Sequence, residues 1–177
     1  GSDDYDAYLW DVQTGQQIKQ FPDRPKDFSI AFSPNGRQLA TGSTDNNAYL
    51  WDLQTGQQIT QFLHPAELVL SVAFSPDGTK LATGSSDNIA YLWDLQTGQQ
   101  IIQFPHASSV HSVAFSPDGS KLATGSGDDQ LSDNESENNE SNVYNAMLWD
   151  LQTGQQIQRF SHGDPVHSVA FSPDGTK

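Results

Sequence analysis

The stretch Ala90–Ile101, which reads AYLWDLQTGQQI, decides the fold of this chain. It occurs unchanged at residues 48–59, and with one substitution each at residues 7–18 and 146–157. The four tryptophans are separated by 41, 42 and 56 residues. A second motif, AFSPDG or AFSPNG, ends at Gly36, Gly78, Gly119 and Gly175. Self-similarity at a nearly constant period indicates a repeat architecture.

Each unit predicts four short strands. Val110–Phe115 is rich in β-forming residues and ends at the SPDG turn of residues 116–119, where proline presets φ and glycine accepts a positive φ. The other three strands are predicted at Lys80–Gly84, Ile89–Asp94 and Gln100–Phe104. No window shows a sustained 3.6-residue apolar period, so helices are not expected. The units therefore predict an all-β chain of four-stranded antiparallel sheets.

These motifs resemble the WD-repeat β-propeller family, in the style of its bacterial members with near-identical tandem repeats. The resemblance covers nearly the whole chain and implies about four blades of a seven- or eight-bladed ring. On this alignment the blade units span residues 1–22, 23–63, 64–105 and 106–161, with the innermost strand of a further blade at 162–177. Joining the end of the chain to its start would give a blade that lacks only Leu-Ala-Thr of its second strand.

The resemblance also implies a structural hydrogen-bonded network in each blade, formed by a His, a Thr, a turn Asp and the Trp. The matching residues are His64, Thr83, Asp87 and Trp93; then His106, Thr124 and Trp149, with Asp128 as the turn acid; then Thr41, Asp45 and Trp51, with Asp23 in place of the His; and Asp4 and Trp10, whose set His162 would complete. Because the set recurs in every blade, whereas a catalytic group occurs once, we expect a structural role and no enzyme activity.

Composition narrows the choice of partners. The chain has 8 Lys and Arg against 22 Asp and Glu, a formal net charge of −14 that disfavours nucleic acid. It contains no cysteine, which excludes disulfides and thiolate metal sites and is compatible with the cytoplasmic location we expect. Its apolar stretches are too short for a membrane span. No cofactor is expected.

A binding site is expected where otherwise near-identical units differ. The residue four positions before the last Phe of each innermost strand is Phe28, Leu70, His111 or His167, and Arg24 and Lys26 precede the first of these. The resemblance places these six residues, the inner-strand rim, at the mouth of the channel. We expect the inner-strand rim to bind a peptide or protein partner, as a scaffold within a larger signalling or regulatory protein. The alternative is an enzyme or metal site in the central channel, since His111 and His167 occupy equivalent positions.

Two features leave alternatives open. The acidic insertion at residues 126–144 contains no basic residue. It is interpreted as a solvated loop, a docking element for a basic partner, or a calcium site. Four blades also leave open sheet faces, so either a longer chain supplies further blades or two copies join as a homodimer.

Overall fold

The computed structural model describes residues 7–21, 27–65, 67–127 and 144–177, and every regular element in these ranges is a strand. The strands are β1 (Ala7–Trp10), β2 (Gln17–Phe21), β3 (Asp27–Phe32), β4 (Gln38–Ser43), β5 (Asn47–Asp52), β6 (Gln58–Leu63), β7 (Val69–Phe74), β8 (Lys80–Ser85), β9 (Ile89–Asp94), β10 (Gln100–Pro105), β11 (Val110–Phe115), β12 (Lys121–Ser126), β13 (Tyr144–Asp150) and β14 (Gln156–His162). Consecutive strands pair antiparallel into a two-stranded sheet, β1–β2, and three four-stranded sheets, β3–β6, β7–β10 and β11–β14.

Side-chain clamps fix the turns between the strands. In the turn after β7, the Ser75 hydroxyl donates to Asp77 at 2.6 Å, the Thr79 amide donates to the same oxygen at 3.0 Å, and Gly78 has a φ of +69°. These two bonds, that from Ser75 first, lower the pKa of Asp77 to about 2. The turn between the first two strands of a blade is therefore fixed by a side-chain oxygen that accepts from both sides of the turn, a carboxylate in SPDG and the Asn35 amide in SPNG.

The aspartate of each Trp-Asp pair clamps the next turn. Asp94 accepts from the Thr97 amide at 2.7 Å and from the Thr97 hydroxyl at 3.0 Å, and Gly98 has a φ of +71°. These bonds, the backbone one first, hold the pKa of Asp94 below its ordinary value. The repeated motif AYLWDLQTGQQI thus encodes a strand and the turn that follows it.

The sheets pack face to face in chain order. One aromatic contact recurs between all of them, and two further contacts recur between the four-stranded sheets. Phe62 of the second sheet packs on Trp93 of the third, with ring centroids 5.4 Å apart. Gly84 lets the next sheet come close, since a Cβ there would lie 2.7 Å from the carbonyl oxygen of Val110. The Ser71 hydroxyl accepts from the Val113 amide at 3.2 Å. A tilted aromatic contact therefore joins all successive sheets, and a close glycine contact and a serine bond also join the four-stranded ones.

Residues 163–177, the tail segment, follow the course of an innermost strand without forming one. The Val169 amide donates to the Ser112 hydroxyl at 3.1 Å, which repeats the serine bond between the earlier sheets. Residues 163–177 are in no strand, so the innermost strand assigned to residues 162–177 stays a prediction. The physical reason is that a strand needs a ladder partner, and the described residues contain no second strand for this position.

Candidate functional site

Three of the four predicted network residues around the third sheet, all but Asp87, meet in one buried cluster. His64 follows β6, Thr83 lies on β8 and Trp93 lies on β9. Trp93 Nε1 lies 3.0 Å from Thr83 Oγ1, and His64 Nε2 lies 2.8 Å from the same oxygen. His64 Nδ1 lies 3.1 Å from the carbonyl oxygen of Phe62. The His64 cluster thus links the end of one sheet to the middle of the next.

The donors and acceptors of the His64 cluster can be ordered from chemistry alone. The indole N–H can only donate, and the Phe62 carbonyl can only accept. Thr83 therefore accepts from Trp93 and donates to His64 Nε2, while His64 Nδ1–H donates to Phe62. This order requires a neutral imidazole, in keeping with burial, the main cause that lowers the pKa of His64 to about 4. With His64 only 5% exposed, the cluster presents no accessible acid or base.

The fourth sheet repeats this arrangement. The second sheet keeps the bond between its tryptophan and its threonine. His106 Nε2 lies 2.7 Å from Thr124 Oγ1, His106 Nδ1 lies 2.8 Å from the Phe104 carbonyl, and Trp149 Nε1 donates to Thr124 at 3.0 Å. Burial lowers the pKa of His106 to about 4. In the second sheet Trp51 donates to Thr41 at 3.2 Å. Asp23, which replaces the histidine there, lies outside the described residues.

The turn aspartates make a different contact from the one expected of them. Asp87 accepts the Tyr91 hydroxyl at 2.5 Å, and Asp45 accepts the Tyr49 hydroxyl at 2.6 Å. The carboxylate of Asp87 acts on His64 only as a nearby charge. Burial and then the bond to Asp87 raise the pKa of Tyr91. Sequence reasoning missed these tyrosines, although each stands four residues after its aspartate.

The remaining members of the predicted network are not brought together within the chain. Trp10 ends β1 and His162 ends β14, in the first and last sheets of the stack, and both are exposed. Asp4 and Asp128 lie outside the described residues. Residues 128–143 of the acidic insertion also lie outside the described residues. The three interpretations of that segment therefore stay predictions.

β-Bulges position the inner-strand rim. The ladder of β7 with β8 shifts register between Val69 and Ser71, so Leu70 is the extra residue, and His111 has the same place in β11. The β3 ladder shifts between Asp27 and Ser29, around Phe28, whose side chain lies outside the described residues, as do Arg24 and Lys26. Bulges commonly re-aim side chains beside functional sites. The variable positions of the innermost strands, Phe28, Leu70 and His111, are thus ones that the ladder leaves unpaired.

Two rim histidines lie side by side. The His111 and His167 ring centroids are 5.2 Å apart at an interplanar angle of 62°. His111 Nε2 lies 2.7 Å from the Gly127 carbonyl oxygen, which can only accept, so this nitrogen carries the proton. Within the described ranges, no three His, Cys, Asp or Glu side chains group closely enough to hold a metal ion. Nor does this part of the chain contain a helix long and apolar enough to cross a membrane.

A family comparison agrees with this geometry. The model of the WD domain, G-beta repeat, matches residues 15–52, 56–94, 98–132 and 154–177, more than half of the chain. The chain belongs to the WD40 repeat family. This confirms the predicted all-β fold of antiparallel propeller blades and the resemblance from which it was inferred. No curated protein matches the WD40 chain. WD40 repeats generally mediate protein–protein interaction, and the proteins that contain them are typically non-catalytic scaffolds.

Proposed function

We propose that this WD40 chain is a non-catalytic scaffold that binds a peptide or protein partner through the inner-strand rim. The observation that carries the proposal is the coincidence of sequence variation with the bulges. Leu70 and His111 replace one another at the extra residue of otherwise similar innermost strands. The residues of the polar clusters are buried, or half-buried in the case of His106, and repeat from blade to blade, so they hold the sheets together.

Contact between neighbouring blades supports a continuous binding surface. The ring contact of His111 with His167 joins the rim of the last complete blade to that of the tail segment. Leu70 is half-buried, so the surface combines an apolar side chain with imidazole groups. Such a mixture suits a peptide or protein better than a polyanion, which the net charge of −14 would repel.

The test starts from peptides selected out of a random display library on the full chain. Their affinity is then measured by fluorescence anisotropy against a variant with Leu70, His111 and His167 all replaced by Ala. We expect this variant to bind at least about tenfold more weakly, because truncating central contacts removes most of the binding energy. The control variant has Ala in place of Ile59, Ile101 and Ile157, which are exposed on the outermost strands. Equal affinity for both variants would move the site away from the rim.

The alternative proposal is a metal ion held by the His111 and His167 pair. Their 5.2 Å ring separation favours it, and Nδ1 of His111 is the nitrogen not bonded to Gly127. Calorimetric titration with Zn²⁺ distinguishes the two proposals. Binding that His111→Ala and His167→Ala each abolish would favour the metal.

We also propose that the chain belongs to a larger cytoplasmic signalling or regulatory protein, and that the 177-residue polypeptide self-associates through its open sheet faces. Support comes from large apolar side chains that remain exposed at both ends of the sheet stack.

A further inference from the structure

Each contact between successive sheets buries one phenylalanine and one tryptophan. Phe21, Phe62 and Phe104, from the outermost strands, are at most 2% exposed. They pack on Trp51, Trp93 and Trp149 of the following sheets, at centroid distances of 5.9, 5.4 and 5.1 Å. Those tryptophans are at most 5% exposed. The chain therefore contains three internal copies of one aromatic interface.

The two halves of a fourth copy stand open at opposite ends of the stack. Phe160 on β14 is 46% exposed, and Trp10 on β1 is 54% exposed. An open pocket of about 580 Å³ lies beside Phe160, between the last sheet and the tail segment. Its apolar walls include Ala146, Leu148 and Val169. Ala90 and Leu92 of the third sheet correspond to Ala146 and Leu148, and both are fully covered by the next sheet.

The exposure of Phe160 and Trp10 is not a general property of the strands that carry them. The isoleucine that follows each QTGQQ motif is 44% to 55% exposed in all four copies, whatever sheets surround it. These residues are Ile18, Ile59, Ile101 and Ile157. The phenylalanine and the tryptophan, by contrast, change from buried to exposed at the ends of the stack, which marks the faces that lack a neighbour.

We propose that a second copy of this chain covers both faces, with Trp10 of each copy packed on Phe160 in the pocket of the other. The inference rests on the proposed self-association and names its interface, direction and stoichiometry. A second copy is the occupant because both halves of the contact lie on one chain, and the three internal copies show that they fit. The contact joins different surfaces, so it closes a ring only if the rotation between copies allows it.

Two copies supply the number of blades that an eight-bladed propeller needs. They supply six complete four-stranded sheets, and each of two further sheets combines the tail segment of one copy with β1 and β2 of the other. Eight blades require about 45° between neighbours, within the range of known propellers. The ring therefore contains two identical contacts between Trp10 and Phe160.

The test measures the mass of the full chain by sedimentation, for the wild type, Trp10→Ala and Phe160→Ala. We expect a dimer of twice 19.4 kDa. Each variant should weaken the dimer at least about a hundredfold, because one truncation damages both contacts and each lost aromatic anchor costs tenfold or more. Ile18→Ala and Ile157→Ala are the controls, since they lie on β2 and β14 with similar exposure but outside the open faces. They should leave the dimer unchanged.

Mixing the two variants tests the direction of the contact. A mixed dimer of Trp10→Ala with Phe160→Ala has one contact damaged on both sides and one intact, so mixing should restore dimers that neither variant forms alone. A dimer that survives both substitutions would overturn the inference but leave self-association standing. A wild-type monomer would overturn both and assign these faces to blades of a longer chain. Open-ended oligomers would overturn the closed ring.

Discussion

Replacing Thr83 with Val tests whether the hydroxyl holds the His64 cluster. Valine keeps the shape of the side chain but can neither accept from Trp93 Nε1, now at 3.0 Å, nor donate to His64 Nε2, now at 2.8 Å. All three side chains are buried, so water cannot replace the hydroxyl. A buried polar atom without a partner costs about 1–3 kcal/mol, so two of them should cost about 2–6 kcal/mol. That is a large share of a domain's usual 5–15 kcal/mol.

The assay is guanidinium unfolding at pH 7, followed by tryptophan fluorescence at one fixed protein concentration, because self-association would shift the apparent stability. Thr83→Ser is the matched control: it keeps the hydroxyl, loses one methyl group and should cost about 1 kcal/mol. Hydrogen exchange should show the loss of protection first in β8 and β9. If Thr83→Val destabilises the chain no more than Thr83→Ser, the donor order assigned to the cluster is wrong.

Three further results are expected. The unfolded chain protonates His64 and His106 near pH 6.5 and the folded chain only near pH 4, so stability is fully present above pH 6.5 and falls as the pH decreases through this window. Unfolding at pH 5 should cost about 2 kcal/mol less per histidine than at pH 7, and a flat profile would contradict this. Gly84→Ala should destabilise the chain by about 1–3 kcal/mol, because the added Cβ would lie 2.7 Å from backbone of the next sheet. Gly163→Ala is the control: a Cβ there meets nothing within 4 Å, so it should be neutral in the same unfolding assay. Appending Leu-Ala-Thr after Lys177 should strengthen the sedimenting dimer about tenfold or more over a Gly-Ser-Gly extension, because the residues absent from the composite blade are restored; equal dimers would count against that blade.

The sequence was most informative where structure is local. The SPDG and QTG turns predicted the strand boundaries, because each turn is fixed by residues two or three positions apart. Thr83 and Trp93 could be paired by resemblance, and the same spacing of ten residues separates Thr41 from Trp51. The partner of Asp87 was not predicted, because it depends on which face of β9 presents Tyr91. The absence of a strand in the tail segment follows from a missing ladder partner, which no local pattern reveals.

The contacts between sheets show why the unit of stability in this chain is the interface and not the single sheet. His64 ends one sheet and bonds to Thr83 of the next, and Phe62 packs on Trp93 across the same gap. A lone sheet therefore carries half of two interfaces and completes neither. It follows that any stack of these sheets presents a Phe at one end and a Trp at the other, each without the partner that it has inside the stack. Substitution of these aromatic residues should therefore cost more stability than substitution of the bulge residues of the inner-strand rim, which lie outside these contacts.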